Sequence, residues 1–441
     1  MRPAMDPRDP AADSDAASRS ALRRLWGLVP RPVFSGGNTV RLLRGGDALF
    51  PAMIEAIAQA RHEVCVATYI FHDDPGANVV AEALADAARR GVLVKVVLDG
   101  FGTLGRLNGL RQRLGDAGVQ VAVYRPIDRW WNWLQPGQLR RLHLKLCVVD
   151  AEVGFVGGIN LLDDRFDINH GPIEQPRLDF AVRVSGPVVA PVHQATLAAW
   201  TRAHLGHSLK QEALAIARSV QPLARLRRLV RRLRMASGRG LQAVPGELVA
   251  VRAAFVLRDN LRQRRTIERS YIDAIRRASQ RVDLVSPYFY PGHSFRRALQ
   301  QAARRGVRVR LLLQGKLDYR IAGLAARALY DEMLGEGVRI YEYTPAYLHA
   351  KVAVIDDDWA TVGSSNIDPL SLLLNLEANV IVRDADFAAE LSAQFEAAVA
   401  VSTEVDPAQK YRPGLLGALR RGIVAWIAHV YLRVAGATGR Y

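Results

Sequence analysis

Residues 52–71, AMIEAIAQARHEVCVATYIF, change their pattern of apolar and polar positions part of the way along. The first part has apolar residues at helical spacing, and the second is a short run rich in β-forming residues. This succession predicts a helix followed by a strand. Residues 270–290, SYIDAIRRASQRVDLVSPYFY, repeat the same succession. The chain therefore contains this pair of elements twice.

The repetition extends over most of the chain. A helix end, a glycine and a strand recur as ARRGVLVKVVLDG (88–100) and ARRGVRVRLLLQG (303–315). The further matched segments are 114–124 with 334–343, 141–150 with 347–356, 154–160 with 360–366, and 177–184 with 375–382. Each copy reads strand–helix–strand–helix and then further strands, which is typical of a mixed, layered α/β unit.

These matches predict five parts along the chain. They are a disordered or amphipathic N-terminal segment (1–36), the first copy (37–210), a basic amphipathic linker (211–245), the second copy (246–402) and an amphipathic C-terminal tail (403–441). An insertion in the first copy, just before residue 141, has no counterpart in the second and contains Trp130, Trp131 and Trp133.

The charge balance is strongly basic. Lys and Arg number 60 against 43 Asp and Glu, which gives a net charge of +17. Such a surplus indicates polyanionic partners, whether nucleic acid, an anionic membrane or phosphate-bearing substrates, and composition does not choose among them. The chain has two cysteines, Cys65 and Cys147, in strand-like apolar runs, and we expect buried, reduced thiols.

In each of the matched segments RLHLKLCVVD (141–150) and YLHAKVAVID (347–356), a His is followed two positions later by a Lys and seven positions later by an Asp. Alternate residues of a strand share a face, so His143 and Lys145 point the same way, as do His349 and Lys351. Asp150 and Asp356 fall at the strand ends, where they are better placed to hold a turn than to attack a substrate. A short glycine-containing turn then brings Asn160 and Asn366 towards the same groups.

These side chains suit a phosphoryl group. Lysine and amide donors stabilise phosphate oxygens, and an imidazole attacks phosphorus or moves a proton. Phosphodiester exchange through a covalent intermediate needs one histidine as nucleophile and another as acid, so two copies facing each other would complete one site. Asp179 and Glu377 occupy matching positions, and each is a candidate to orient a histidine.

The residues HLKLCVVD…GGIN and HAKVAVID…GSSN resemble the paired HKD motifs of the phospholipase D superfamily. Within it, NIDPLSLLLNLEAN (366–379) and GGIN resemble the short bacterial cardiolipin synthases that lack N-terminal transmembrane helices. The resemblance covers roughly residues 38–400. Gly158 stands where the superfamily commonly has Ser, and this variant is typical of the short synthases.

The resemblance implies two tandem α/β/α sandwich domains related by a pseudo-two-fold axis, with one active site between them. It implies a phosphatidyltransferase that moves a phosphatidyl group between phosphatidylglycerol molecules through a phosphohistidine, without metal or cofactor. It further implies the following roles. His143 and His349 are nucleophile and acid/base, with His143 favoured as nucleophile; Lys145, Lys351, Asn160 and Asn366 bind phosphate; Asp150 and Asp356 are structural; Asp179 and Glu377 orient the histidines.

Membrane contact has several candidates. Residues 222–234, PLARLRRLVRRLR, place an apolar stripe on a cationic helix, and the tail has an uncharged run of 11 residues, 422–432, too short to span a bilayer. Packing against the protein is the alternative for both. We expect a peripheral protein on the cytoplasmic face of the cell membrane, with phospholipid substrates (phosphatidylglycerol, or alternatively phosphatidylethanolamine), an anionic membrane surface as partner and no nucleic acid.

Three alternatives remain open from the sequence. The same site would serve phospholipid hydrolysis or transfer to another alcohol, and a nuclease of the superfamily would also carry a positive charge. A binding module without activity leaves both His, Lys and Asn sets unexplained. Part of the charge lies on amphipathic Leu/Arg segments, which favours lipid over nucleic acid.

Overall fold

The computed structural model describes residues 30–103, 107–126, 140–168, 171–217, 251–259, 263–316, 329–368 and 375–408, with single positions at 224, 229, 230, 233 and 327. Trp130, Trp131 and Trp133, the N-terminal segment up to residue 29, most of the predicted linker and the tail after residue 408 lie outside the described residues. Within the ranges described, no helix has both the length and the apolarity to cross a membrane.

The first copy alternates strands and helices in the predicted order. Its elements are β1 (Ser35–Arg44), α1 (Gly45–Ala58), β2 (Glu63–Thr68), α2 (Pro75–Arg89), β3 (Leu93–Asp99), α3 (Leu107–Asp116), β4 (Gln120–Tyr124), β5 (Lys145–Val149), β6 (Val153–Gly157), β7 (Phe166–Asp167), β8 (Gly171–Pro172), β9 (Phe180–Ser185) and α4 (Val189–Ala217). Helix α4 extends past residue 210, the expected end of this copy.

The second copy follows the same order. Its elements are β10 (Val251–Arg258), α5 (Thr266–Arg277), β11 (Arg281–Ser286), α6 (His293–Arg304), β12 (Arg308–Gln314), α7 (Tyr330–Leu334), β13 (Arg339–Tyr343), β14 (Val352–Ile355), β15 (Trp359–Gly363), β16 (Glu377–Arg383), α8 (Ala385–Ala400) and β17 (Thr403–Glu404). Asp384 caps α8 by accepting the Phe387 N–H at 2.9 Å, as Asp74 caps α2 through Ala77.

The strands form one 15-stranded sheet in the order β17-β13-β12-β11-β14-β15-β16-β10-β1-β9-β6-β5-β2-β3-β4. The strand order of one copy runs outward from the antiparallel pair β1 and β10 as the strand order of the other copy does on the opposite side. This symmetry is expected of two copies related by a pseudo-two-fold axis. In each copy the three strands separated by helices pair in parallel, because a crossover helix returns the chain to the same end of the sheet.

Helices cover both faces of the sheet in each copy. Helices α1–α3 pack on one face of the first copy and α5–α7 on one face of the second, each over its own apolar core. Helices α4 and α8 pack on the opposite faces, over a third core that runs through both copies. This is the predicted α/β/α architecture, and the shared core explains why the copies form one body.

Asp150 and Asp356 lie at the ends of β5 and β14, where the sequence places them. Asp150 accepts the backbone N–H groups of residues 61, 62 and 63 at 2.8 Å each, and Asp356 does the same for residues 279–281. Both have φ of 50°, a left-handed conformation that Asp tolerates better than most residues. Burial opposes ionisation of Asp150, yet its three N–H donors hold its pKa below the ordinary value.

We expect Asp150→Ala to lower the free energy of unfolding by about 2–3 kcal/mol, because three N–H groups lose a charged acceptor. Asp150→Asn is the matched control, since Asn tolerates the same backbone conformation and keeps one acceptor oxygen, and its loss should be smaller. Urea unfolding followed by circular dichroism measures both. Equal midpoints for Asp150→Ala and the native chain would contradict this anchoring role.

Candidate active site

Two short parallel bridges join the copies at the site. Leu142 pairs with Leu376, and Leu178 pairs with Leu348. The N–H of His143 donates to the carbonyl of Leu376 at 3.1 Å, and the N–H of His349 donates to that of Leu178 at 2.9 Å. The segment that ends in each histidine therefore lies beside the carboxylate-bearing segment of the other copy.

Each histidine consequently meets a carboxylate of the opposite copy. His143 Nδ1 lies 2.9 Å from Glu377 Oε2, and His349 Nδ1 lies 2.6 Å from Asp179 Oδ2. A carboxylate accepts, so Nδ1 carries the hydrogen and Nε2 remains for a substrate. The sequence identified both acids as candidates to orient a histidine but did not indicate which histidine each would meet.

The two lysines of the motifs are buried beside the histidines. Lys145 Nζ donates to the carbonyl of His143, two residues earlier, at 3.1 Å, and Lys351 Nζ donates to the carbonyl of His349. Burial lowers the pKa of Lys145 to about 7 and that of Lys351 to about 8. Both lysines are therefore more easily deprotonated than an exposed lysine, and a nearby anion would raise their pKa values again.

Asn160 and Asn366 follow the turns after β6 and β15. Each turn is tied to the end of a parallel strand of its own copy, since Phe71 bridges Leu161 and Phe289 bridges Ile367. Both asparagines are buried, at 7 % exposure, and the strands that precede them, β6 and β15, pair with β5 and β14. Among the described residues, Asn160 Oδ1 has no hydrogen-bond partner. An amide side chain has two N–H donors, which are groups able to bind a phosphate oxygen.

Burial disfavours the charged forms of the four basic groups of the site. Burial, followed by the charges of Lys351 and Arg177, lowers the pKa of His349 well below its ordinary value. Burial also lowers the pKa of His143, against the raising effect of Glu377. Both imidazoles are therefore neutral near pH 7 without substrate. A phosphodiester anion would offset these charges and raise the pKa values of all four basic groups.

The two carboxylates differ in their surroundings. Ser364 Oγ donates to Glu377 Oε2 at 2.6 Å, whereas the matching residue beside Asp179 is Gly158. Burial raises the pKa of Asp179 to about 7. A Cβ on Gly158 would overlap Asp179 Oδ1 and lie 2.9 Å from Oδ2. The first copy therefore has Gly in place of Ser next to Asp179, because the Asp179 carboxylate occupies the space that a side chain at position 158 would need.

We expect Gly158→Ala to lower kcat by about 10²-fold, because the added methyl group pushes the Asp179 carboxylate away from His349. The variant Gly158→Ser combined with Asp179→Glu recreates the arrangement of the second copy and should recover part of the loss. Gly109→Ala is the matched control, since nothing lies within 4 Å of a Cβ there. Steady-state kinetics of the three variants measure the effect, and full activity of Gly158→Ala would contradict the overlap.

The sequence reasoning missed two sets of residues near the histidines. Asp99 Oδ2 accepts the N–H of Leu142 at 2.8 Å, and Gln314 Oε1 accepts that of Leu348 at 2.6 Å, so a polar side chain fixes the residue before each histidine. The signal was available, because both residues end a matched strand just before a glycine. Tyr69 stands where the second copy has Pro287, and its ring meets that of His143 edge-on with centroids 4.9 Å apart.

Comparison with known proteins agrees with the division into two copies. A family model described as cardiolipin synthase, PLD-like domain, matches residues 53–171 and 271–399, one match in each copy. The chain is 40 % identical over 351 residues to cardiolipin synthase B of Salmonella typhi, covering 80 % of this chain and 78 % of that protein. It is 39 % identical over 352 residues to cardiolipin synthase B of Escherichia coli K12, with the same coverage.

Among solved structures, phosphatidylserine synthase from Haemophilus influenzae is similar in fold. The TM-score is 0.62 at 14 % sequence identity, and the match covers 93 % of this chain and 98 % of that one. The fold of the two copies together is therefore shared with a protein of distant sequence.

Proposed function

The chain belongs to the cardiolipin synthases of the phospholipase D superfamily, and from this premise we propose that its two copies carry out one phosphatidyl transfer in one shared site. It is a phosphatidyltransferase, and its substrates are phospholipids. The observation that carries the proposed site is the crossing of the copies, in which each histidine is held by a carboxylate of the other copy. Neither copy has a complete His–carboxylate pair without its partner.

The first step is attack of His143 on a phosphatidylglycerol. Nε2 of His143 forms a bond to phosphorus, the bond from phosphorus to the glycerol oxygen breaks, and His349 gives its proton to the departing glycerol. The substrate anion raises the pKa of His349, so that it holds the proton it delivers. Lys145, Lys351, Asn160 and Asn366 bind the phosphate oxygens on which negative charge develops.

The second step resolves the phosphohistidine. His349 takes the proton from a hydroxyl group of a second phosphatidylglycerol, whose oxygen attacks phosphorus, and the bond to His143 breaks. Two phosphatidylglycerols thus give one cardiolipin and one glycerol. Burial of His143, Lys145 and Lys351 limits access of water to the phosphohistidine, and this favours transfer over hydrolysis.

The difference between the two acids supports His143 as the nucleophile. A phosphorylated imidazole carries positive charge, which the carboxylate at its Nδ1 stabilises. Glu377, with its hydrogen bond from Ser364, is better prepared for this than Asp179, whose pKa burial raises to about 7. His349, with a side chain 23 % exposed against 11 % for His143, is the more open of the two to an entering or leaving alcohol.

The proposed location is the cytoplasmic face of the cell membrane, with the protein bound peripherally to anionic lipid. The net charge of +17 supports attraction to such a surface, where the second lipid substrate is concentrated. Phosphatidylethanolamine is the alternative phospholipid substrate.

Product analysis tests the reaction. Purified protein incubated with phosphatidylglycerol vesicles should release glycerol and form cardiolipin, as measured by thin-layer chromatography and mass spectrometry. Phosphatidic acid as the sole lipid product would indicate a hydrolase. Cleavage of DNA without any change in the lipid would indicate a nuclease, and either result would overturn the proposed transfer.

A further inference from the structure

Three side chains able to bind a metal converge beneath helix α4, in a cluster apart from the histidine motifs. Glu63 and Cys65 lie two residues apart on one face of β2, and His193 reaches them from α4. Their ligand atoms all lie within 4.8 Å of one another. His193 Nε2 is 2.7 Å from Glu63 Oε1, and Cys65 Sγ is 3.8 Å from Glu63 Oε2.

The corresponding position in the second copy, between β11 and α8, has an ordinary side-chain contact. Arg281 and Asp283 on β11 correspond to Glu63 and Cys65, and Ser392 on α8 corresponds to His193. The helix match follows from the core, because Val192 and Leu391, which precede these residues, are buried in the same layer. Arg281 Nη1 donates to Ser392 Oγ at 2.7 Å, so this helix is fastened by a side-chain hydrogen bond.

The charges of the second copy are fully matched at this place. Arg310 Nε and Nη2 donate to the two oxygens of Asp283 at 2.7 and 2.9 Å. At the corresponding places the first copy has Glu63, Cys65 and His193, and Lys95 stands across from Cys65 where Arg310 stands across from Asp283. His193 Nε2 faces the Glu63 oxygen at close range without meeting the geometry of a hydrogen bond. An imidazole nitrogen, a carboxylate oxygen and a thiol sulfur within 4.8 Å of one another are close enough to be drawn onto one metal ion.

We propose that Glu63, Cys65 and His193 bind a Zn²⁺ ion that fastens α4 to the sheet. Carboxylate, thiolate and imidazole are the three protein ligand types of zinc, and its tetrahedral geometry leaves a fourth position. As the Zn–S bond forms, the thiol proton passes to solvent. A cavity of about 650 Å³, lined by His193, Lys95 and Trp200 among others, lies on the His193 side of the cluster, and a water from it would take the fourth position.

A Zn²⁺ ion could reach the three ligands from solvent, because two of them are partly exposed. The side chains of His193 and Glu63 are 19 % and 24 % exposed, whereas Cys65 is buried at 1 %. The backbone at Glu63 is already fixed by Asp150. The cluster lies apart from the histidines, because Cys65 is three residues before Thr68, which pairs with Lys145, a distance of about 10 Å along the strand. The proposal therefore does not depend on the proposed reaction.

The test uses the full-length chain without an affinity tag, stripped with a chelator and titrated with ZnCl₂ in a calorimeter. We expect saturable binding of one Zn²⁺ per chain and a higher midpoint of thermal unfolding in excess Zn²⁺. Co²⁺ is the spectroscopic probe. It should give a near-ultraviolet charge-transfer band that requires a thiolate ligand, so the band reports cysteine and not the histidines of the active site.

The chain offers a matched control, because Cys147 is its other cysteine. It is also buried, but it packs in the core on the opposite face of the sheet. The Co²⁺ band should disappear in Cys65→Ser and persist in Cys147→Ser. His193→Ser, which copies Ser392 of the second copy, should weaken Zn²⁺ binding by at least about tenfold.

Absence of saturable Zn²⁺ binding by the native chain would overturn the proposal, and this measurement needs no variant to fold. A Co²⁺ band that survives in Cys65→Ser would overturn it as well. In either case Glu63 and His193 form only an ion pair that holds the helix. Phosphatidyl transfer measured on the same samples reports separately on the reaction.

Discussion

Alanine in place of either His143 or His349 is expected to lower phosphatidyl transfer by at least about 10⁴-fold, although the fold remains intact. In the proposed mechanism the two imidazoles act on one phosphorus atom, one as nucleophile and one as acid, so neither copy would have a reaction of its own. Turnover of phosphatidylglycerol by each purified variant measures the effect. His293→Ala is the matched control, since His293 is exposed at the start of α6 and should be dispensable.

An activated donor separates the roles of the two histidines. A phosphatidyl ester of p-nitrophenol has a leaving group that needs no acid, so His349→Ala should still release nitrophenol in a burst and hold the phosphatidyl group on His143. His143→Ala should show no burst. Peptide mapping of the trapped adduct identifies the residue. An adduct on His349 would reverse the assignment, and substantial turnover in either single variant would contradict the shared site.

The second large effect is expected from the crossed carboxylates. Glu377→Gln and Asp179→Asn should each lower kcat by about 10³–10⁴-fold, because an amide at Nδ1 favours the wrong tautomer of the ring and removes the charge that stabilises an imidazolium. The loss should appear although each acid lies more than 150 positions away in sequence from the histidine that it contacts.

Histidine NMR distinguishes orientation from general damage. Glu377→Gln should change the tautomer and lower the pKa of His143, because Glu377 raises that pKa, and it should leave the Nδ1 partner of His349 unchanged. Asp179→Asn should alter His349 and spare His143. Glu55→Gln, an exposed acid of α1, is the matched control. If each substitution perturbed the histidine of its own copy instead, the crossed arrangement would be wrong.

Local sequence patterns were enough to predict most of the architecture. Helical and strand periods, repeated at matching places, predicted two α/β copies, because the spacing of apolar residues reflects which face of an element is buried. Strand parity predicted that each His shares a face with its Lys, whereas β5 begins only at Lys145 and β14 at Val352. It also set Asp150 and Asp356 apart at the strand ends, where each binds three backbone N–H groups. These features depend only on neighbouring residues.

Other features depended on shape that a sequence pattern does not carry. The significance of Gly158 is visible only beside Asp179, because the cost of a side chain there comes from an overlap between two strands. From the sequence, Asp99 and Gln314 are only the last residues of two strands. In the structure their side chains accept the backbone N–H of the residue before each histidine. Likewise, the convergence of Glu63, Cys65 and His193 requires the packing of α4 on β2.

The sequence by itself determined the repeat, the α/β class and the pair of His, Lys and Asn sets, since periodicity and motif spacing are local properties of the chain. Only the tertiary structure decided that the acid of each copy serves the histidine of the other. That pairing follows from two bridges, Leu142 with Leu376 and Leu178 with Leu348, which form because the copies dock about a pseudo-two-fold axis. Packing of a shared core, and not any local pattern, fixes that docking.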